Sequence, residues 1–140
     1  MRQLLDALGS PQKGLRTVHV AGTKGKGSTV AFLENILLQS GYKVGAFTSP
    51  KVRSVGELFR VDGREASEVA LDRLLTWVRA RVEAESLNPT YFEVMTALAY
   101  VLIGDVMWAT DDCDGEPILS QSHSPCLQFN SPLGVCIYLV

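Results

Sequence analysis

Val18-His19-Val20-Ala21-Gly22-Thr23-Lys24-Gly25-Lys26-Gly27-Ser28-Thr29 is the stretch on which the fold turns. Its opening, Thr17 to Ala21, is rich in β-branched residues and suits a strand. Three glycines follow in the space of six residues, and glycine lets backbone N–H groups converge on an anion without a Cβ in the way. From Ser28 to Ser40, Val30, Leu33 and Leu37 recur at helical spacing. The order is strand, glycine-rich turn, helix, and the turn Gly22-Thr23-Lys24-Gly25-Lys26-Gly27-Ser28 is a phosphate-binding loop in outline. Lys26 brings an ammonium to the β- and γ-phosphates of a polyphosphate. Ser28 or Thr29 brings a hydroxyl to Mg²⁺, and the helix points its positive N-terminus at the charge. The usual pattern is G-x-x-x-x-G-K-[ST]; Gly27, between Lys26 and Ser28, makes this one a variant.

Downstream, Gly41 stops the helix, and Tyr42 to Thr48 reads as a second strand, so the unit is βαβ with a parallel pair. The expected fold class is α/β: a parallel sheet with a phosphate loop, flanked by helices, amounting to an incomplete ATPase domain. Upstream, Leu4, Leu5 and Leu8 give a short helix that breaks at Gly9-Ser10-Pro11. Beyond Ser49-Pro50, Glu57 to Val61 is extended and ends in a tight turn at Asp62-Gly63. Ser67 caps a helix to about Glu85 with an apolar stripe of Leu71, Leu74, Leu75, Val78 and Val82. After Asn88-Pro89, Thr90 to Ile103 forms a strongly apolar helix suited to burial, which Gly104 ends. His19, within an apolar strand, reads as a packed core histidine.

The 140 residues carry a net charge of −2 and are 46% hydrophobic and 20% charged. That composition is ordinary for a globular domain and gives no indication of a dedicated nucleic-acid binder. The longest apolar stretches fall short of the roughly 20 residues that span a bilayer. With neither a signal-peptide nor a transit-peptide pattern at the N-terminus, a cytoplasmic location is the expectation, with an organellar form as its alternative. A monomer is expected. Character changes near Gly104. Residues 1–103 hold 13 Lys and Arg against 10 Asp and Glu, a net of +3, whereas 104–140 hold none against 5, a net of −5. Cys113, Cys126 and Cys136 all lie in this second part without metal-site spacing and are read as incidental thiols. Residues 1–103 are therefore taken as the ATP-binding part and 104–140 as a divergent, poorly ordered tail. Its apolar end, Val135 to Val140, is the one stretch able to bury itself, as an added strand on an exposed sheet edge or as an aggregation site.

Several separated stretches resemble one family. Val18 to Thr29, with its additional Gly27, is similar to the nucleotide loop of the folylpolyglutamate and dihydrofolate synthases, of the Mur ligase superfamily. So are Met1-Arg2-x-Leu4-Leu5-x-x-Leu8-Gly9, Gly41-Tyr42-Lys43-Val44-Gly45-x-Phe47-Thr48-Ser49-Pro50, Arg60-Val61-Asp62-Gly63 and Thr90-Tyr91-Phe92-Glu93. The likeness covers residues 1–103. After Thr48-Ser49-Pro50 the family usually carries histidine and then a Glu-Arg pair, where this chain has Lys51 and Gly56-Glu57-Leu58.

The resemblance implies ATP-dependent addition of L-glutamate to folates, with dihydropteroate as the alternative acceptor, and ATP and Mg²⁺ as cofactors. It implies nucleotide contacts at Gly22, Thr23, Lys24, Gly25, Lys26, Gly27, Ser28 and Thr29, with Lys26 catalytic. It also matches Ser49 and Glu93 to magnesium ligands beside Ser28. Both are hard oxygen donors of the kind Mg²⁺ accepts. By spacing alone, Thr90-x-x-Glu93 is equally a capping box, and Ser49-Pro50 a simple turn. The family's later strand, second metal site and C-terminal domain find no match in 104–140, which suits a truncated domain bearing foreign sequence. A non-catalytic ATP-binding fragment is the rival expectation.

Overall fold

A computed structural model describes residues 1–49, 54–108 and 134–139. The elements are α1 (Arg2–Ala7), a 3₁₀ turn at Pro11–Gly14, β1 (Arg16–Val20), α2 (Lys26–Gln39) and β2 (Lys43–Phe47). A second 3₁₀ turn at Gly56–Leu58 precedes β3 (Phe59–Val61) and β4 (Arg64–Glu65). Then come α3 (Glu68–Ala84), α4 (Tyr91–Trp108) and β5 (Gly134–Leu139). They fall into two compact units. One joins residues 1–14 to the helices that follow Glu68, and the other joins Leu15–Glu68 to β5.

In the second unit the five strands form one sheet in the order β1-β5-β2-β3-β4. β5 runs parallel to both neighbours, with Val18 opposite Ile137 on one side and Ala46 opposite Ile137 on the other. β3 is antiparallel to β2 and pairs Phe47 with Phe59, whose rings stack 5.2 Å apart. Asp62 and Gly63 both take positive φ, 48° and 76°, as the tight two-residue turn between β3 and β4 requires. The helix α2 covers the middle of the sheet. Val30, Val44, Ala46 and Ile137 are wholly buried together, with Val20, Leu33, Leu37, Leu38 and Tyr42 packed around them. All are aliphatic but Tyr42, as the interior of a parallel α/β layer favours.

In the first unit, α1 and the Pro11–Gly14 turn pack on α4. Leu4, Leu5 and Leu8 are buried, as are Met95, Leu98, Leu102 and Ile103 along α4. α3 buries Leu71, Leu74 and Val78, three of the five residues of its expected stripe, at the helical spacing that set the expectation.

Five expectations are corrected. β1 and β2 are parallel but not neighbours, because β5 lies between them. The apolar segment near the C-terminus is therefore a central strand and not an addition to an edge; a strand between two others pairs the backbone groups of both its edges, where an edge strand pairs those of one. α4 does not stop at Gly104 but continues to Trp108, since one glycine costs a helix only about 1 kcal/mol. α2 begins at Lys26, inside the glycine loop and not at Ser28. His19 is exposed, as is most of β1. The expectation of a poorly ordered tail concerns mainly residues 109–133, which lie outside the described residues, as do Lys51, Cys113 and Cys126.

Candidate functional site

The glycine loop occupies the turn between β1 and α2, where the carboxyl end of a parallel strand meets the amino end of a helix. Gly25 caps α2 with φ 76°, a left-handed conformation that an L side chain adopts at a cost. Gly22 has φ 149°. A Cβ built at Gly22, Gly25 or Gly27 would meet nothing within 4 Å, so the loop opens onto free space. Thr23, Lys24, Gly27, Ser28 and Thr29 are exposed and Lys26 is half-buried. The Lys26 ammonium donates to the carbonyl oxygen of Gly22 at 2.6 Å, folding the side chain across the turn. Thr29 donates its hydroxyl to the Gly25 carbonyl at 3.0 Å, and its N–H reaches the same oxygen at 3.0 Å. Thr29 is thus committed to holding the first turn of α2, which leaves the exposed Ser28 as the hydroxyl better placed for a ligand. The groups assembled are an ammonium, open N–H donors, a positive helix end and a hydroxyl, which suit an anion with several phosphates.

Ser49 stands just past the carboxyl end of β2, half-buried. Through their shared neighbour β5, the two strand ends are nearly level: Val20 lies opposite Leu139 and Phe47 opposite Tyr138. Two inter-strand steps separate β1 from β2, about 10 Å. The glycine loop and Ser49 therefore leave the same end of the sheet, the end at which open α/β sheets bind ligands.

Glu93 belongs to the other unit and is engaged locally. Its Oε2 accepts from the Thr90 N–H and the Thr90 hydroxyl, both at 2.9 Å, and the Thr90 hydroxyl oxygen accepts from the Glu93 N–H at 3.3 Å. That is a reciprocal capping box. The Met1 ammonium is ion-paired with Oε1. This ammonium, then the two Thr90 donors, hold the Glu93 carboxyl down to about 2. The carboxylate is ionised and hard, as a magnesium ligand must be, and any cation arriving there competes with Met1 and Thr90.

Sequence reasoning passed over Glu34 and gave Arg60 only as part of a motif. Glu34 is buried on α2 and accepts three hydrogen bonds from Arg60 on β3. The available signal was a carboxylate four residues after Val30, on the apolar face of the helix.

The sheet defines the class, a Mur-ligase-type α/β unit with a glycine-rich loop at the carboxyl end of its strands. The chain is 43% identical over 109 residues to a dihydrofolate synthase/folylpolyglutamate synthase of Bacillus subtilis, spanning 75% of this chain and 25% of that one. It is 41% identical over 90 residues to a folylpolyglutamate synthase of Arabidopsis thaliana, 61% of this chain and 16% of that one. Its structure matches that of a bifunctional folylpolyglutamate synthase/dihydrofolate synthase of Yersinia pestis complexed with AMPPNP and a manganese ion. The TM-score is 0.74 at 28% identity, over 99% of this chain and 27% of that one. No protein-family model matches the chain. The curated and structural relatives are folylpolyglutamate synthases and dihydrofolate synthases, and the chain spans about a quarter of the length of its Bacillus relative.

Proposed function

We propose that Gly22 to Ser28 bind ATP with Mg²⁺ and that the chain supplies the nucleotide side of an ATP-dependent ligation of L-glutamate to a folate. The observation that carries this reading is the loop itself: a left-handed Gly25 starting α2, with Lys26 folded over an open turn at the carboxyl end of the sheet. The relatives' names and the AMPPNP and manganese of the Yersinia complex support it.

The residues fit such a ligand. The exposed loop takes the phosphates on its N–H groups, and the Lys26 ammonium exchanges the Gly22 carbonyl for phosphate oxygens. Ser28 and Ser49, at the same end of the sheet, are oxygen donors of the kind the metal accepts. Bound Mg²⁺ would neutralise charge on the phosphates. In the ligation, a folate carboxylate takes the γ-phosphoryl group, releasing ADP. The amine of glutamate then attacks the acyl phosphate, expels phosphate and loses a proton. Lys26 and the loop N–H groups stabilise charge on the phosphoryl in transit. Dihydropteroate is the alternative acceptor, since the name of the Bacillus relative includes dihydrofolate synthase.

Calorimetry with Mg·ATP tests the reading, and the expected result is saturable binding that AMP does not reproduce. Absence of binding to the folded chain defeats it. A second reading is nucleotide binding without ligation. Glutamate incorporation coupled to ADP release by the purified chain would exclude it.

A further inference from the structure

α2 is held to its sheet by two kinds of contact that differ in directionality. Val30 is wholly buried against Val44, Ala46 and Ile137, with Leu33 and Leu37 beside it. Such apolar contacts are non-directional and tolerate a helix that rolls or slides slightly. Glu34, one turn beyond Val30 and 5% exposed, is different. Arg60 Nε donates to its two carboxylate oxygens at 3.2 and 3.1 Å, and Nη2 donates to Oε2 at 2.7 Å. A planar guanidinium forked onto a carboxylate fixes both distance and angle.

Arg60 is itself fixed. It sits on β3 opposite Ala46 of β2, the strand that leads to Ser49. Two residues on, the Asp62 N–H donates to the Val44 carbonyl at 2.8 Å, and the Val44 N–H donates to Asp62 Oδ1 at 2.9 Å. Rigid links thus run from β2 through β3 to Glu34, and from Glu34 along α2 to Lys26 and Ser28. A roll of α2 by about 10° would move its outer side-chain atoms by about 1 Å, given a radius of about 5–6 Å. An error of about 1 Å at a reacting centre can cost about a hundredfold.

We propose that Arg60 and Glu34 are a positioning pair that sets the roll of α2 and so aims Lys26 and Ser28 at the phosphates, neither residue touching the ligand. The proposal rests on the reading of Gly22 to Ser28 as a nucleotide loop. It is separable from simple stabilisation, because replacing both members of a buried ion pair by apolar residues of similar size is often neutral for folding.

The experiment compares the parent chain with Glu34→Leu/Arg60→Met together and with Arg60→Lys. Thermal unfolding, Mg·ATP calorimetry and the ligand-free amide chemical shifts of Gly22 to Thr29 are the readouts. The double variant is expected to fold with a melting point close to the parent's, to show displaced loop signals and to bind Mg·ATP about tenfold more weakly. Arg60→Lys is expected to fall between them, since one ammonium cannot bridge both oxygens as the fork does. Parental affinity and parental loop shifts in the folded double variant overturn the proposal. Should the double variant fail to fold, Arg60→Lys is judged by the same loop shifts and affinity. If the parent itself binds no Mg·ATP, the nucleotide reading falls, and the loop shifts alone decide whether the pair positions the loop.

Discussion

The ammonium of Lys26 and the carbonyl oxygen of Gly22 lie 2.6 Å apart, closing the glycine loop across its own mouth. The bond is exposed and local, so Lys26→Ala should change stability by less than about 1 kcal/mol. A hydrogen bond to a charged partner is worth about 1.5–3 kcal/mol, so affinity for Mg·ATP should fall about 10- to 100-fold. Calorimetry on both proteins checks this, and equal affinities would remove Lys26 from the site.

The glycines of the loop are not equivalent. Gly25→Ala forces a side chain into φ 76° and should destabilise by about 1–2 kcal/mol, although a Cβ there meets no atom within 4 Å. Gly27 lies within α2 without positive φ, and Gly27→Ala should be neutral or stabilise by up to about 1 kcal/mol. Urea unfolding separates the two. A stability cost at Gly27 equal to that at Gly25 would contradict the assigned conformations.

Stability should depend on pH through the start of α4. The Glu93 carboxyl lies at about 2 in the folded chain against an ordinary value of 4.5. A group depressed on folding contributes stability that is complete above its unfolded value and is lost as pH falls through its folded one. The contribution is therefore full at pH 7 and declines from about 4.5 towards 2. Melting points of parent and Glu93→Gln should differ most at neutral pH and draw together as pH falls towards about 2. A gap that widens on acidification would show the sign to be wrong.

At the middle of the sheet, Ile137 is wholly buried, and Ile137→Ala should cost about 2–5 kcal/mol. Val18, its cross-strand neighbour on β1, is 38% exposed, and Val18→Ala should cost less than about 1 kcal/mol. Denaturant titrations of both variants, with the parent as reference, read the difference directly.

Local pattern made much of this legible. The β-branched run before Gly22, the glycines and the spacing of Val30, Leu33 and Leu37 are all short-range signals, and so is the stripe of α3. Strand order was not legible, because pairing is decided by residues far apart in sequence, and nothing between Tyr42 and Thr48 says that Val135 to Leu139 will lie beside it. The exposure of β1 was hidden for the same reason: a β-branched run looks identical whether or not a layer covers it. Glu93 illustrates an ambiguity of chemistry. A carboxylate three residues after Thr90 satisfies a capping box and is also a hard donor, and the capping bonds are the ones present. The Arg60–Glu34 pair was missed because a single charge on an apolar helix face carries no information about its partner's address.

The position of β5 has a kinetic consequence. The strand latest in chain order separates the two earliest, so β1, α2 and β2 are all complete long before the neighbour that both require exists. Until Val135 to Leu139 arrive, β1 and β2 each present an open inner edge to the other, close enough through α2 to pair directly in a register that must later be undone. Long sequence separation slows the correct closure, and the premature pair is a trap of the kind that delays parallel sheets. Refolding of this chain should accordingly be slow and sensitive to concentration, with the glycine loop among the last features to acquire its shape, because the strand that leads into it has no hydrogen-bonded partner among the described residues other than β5.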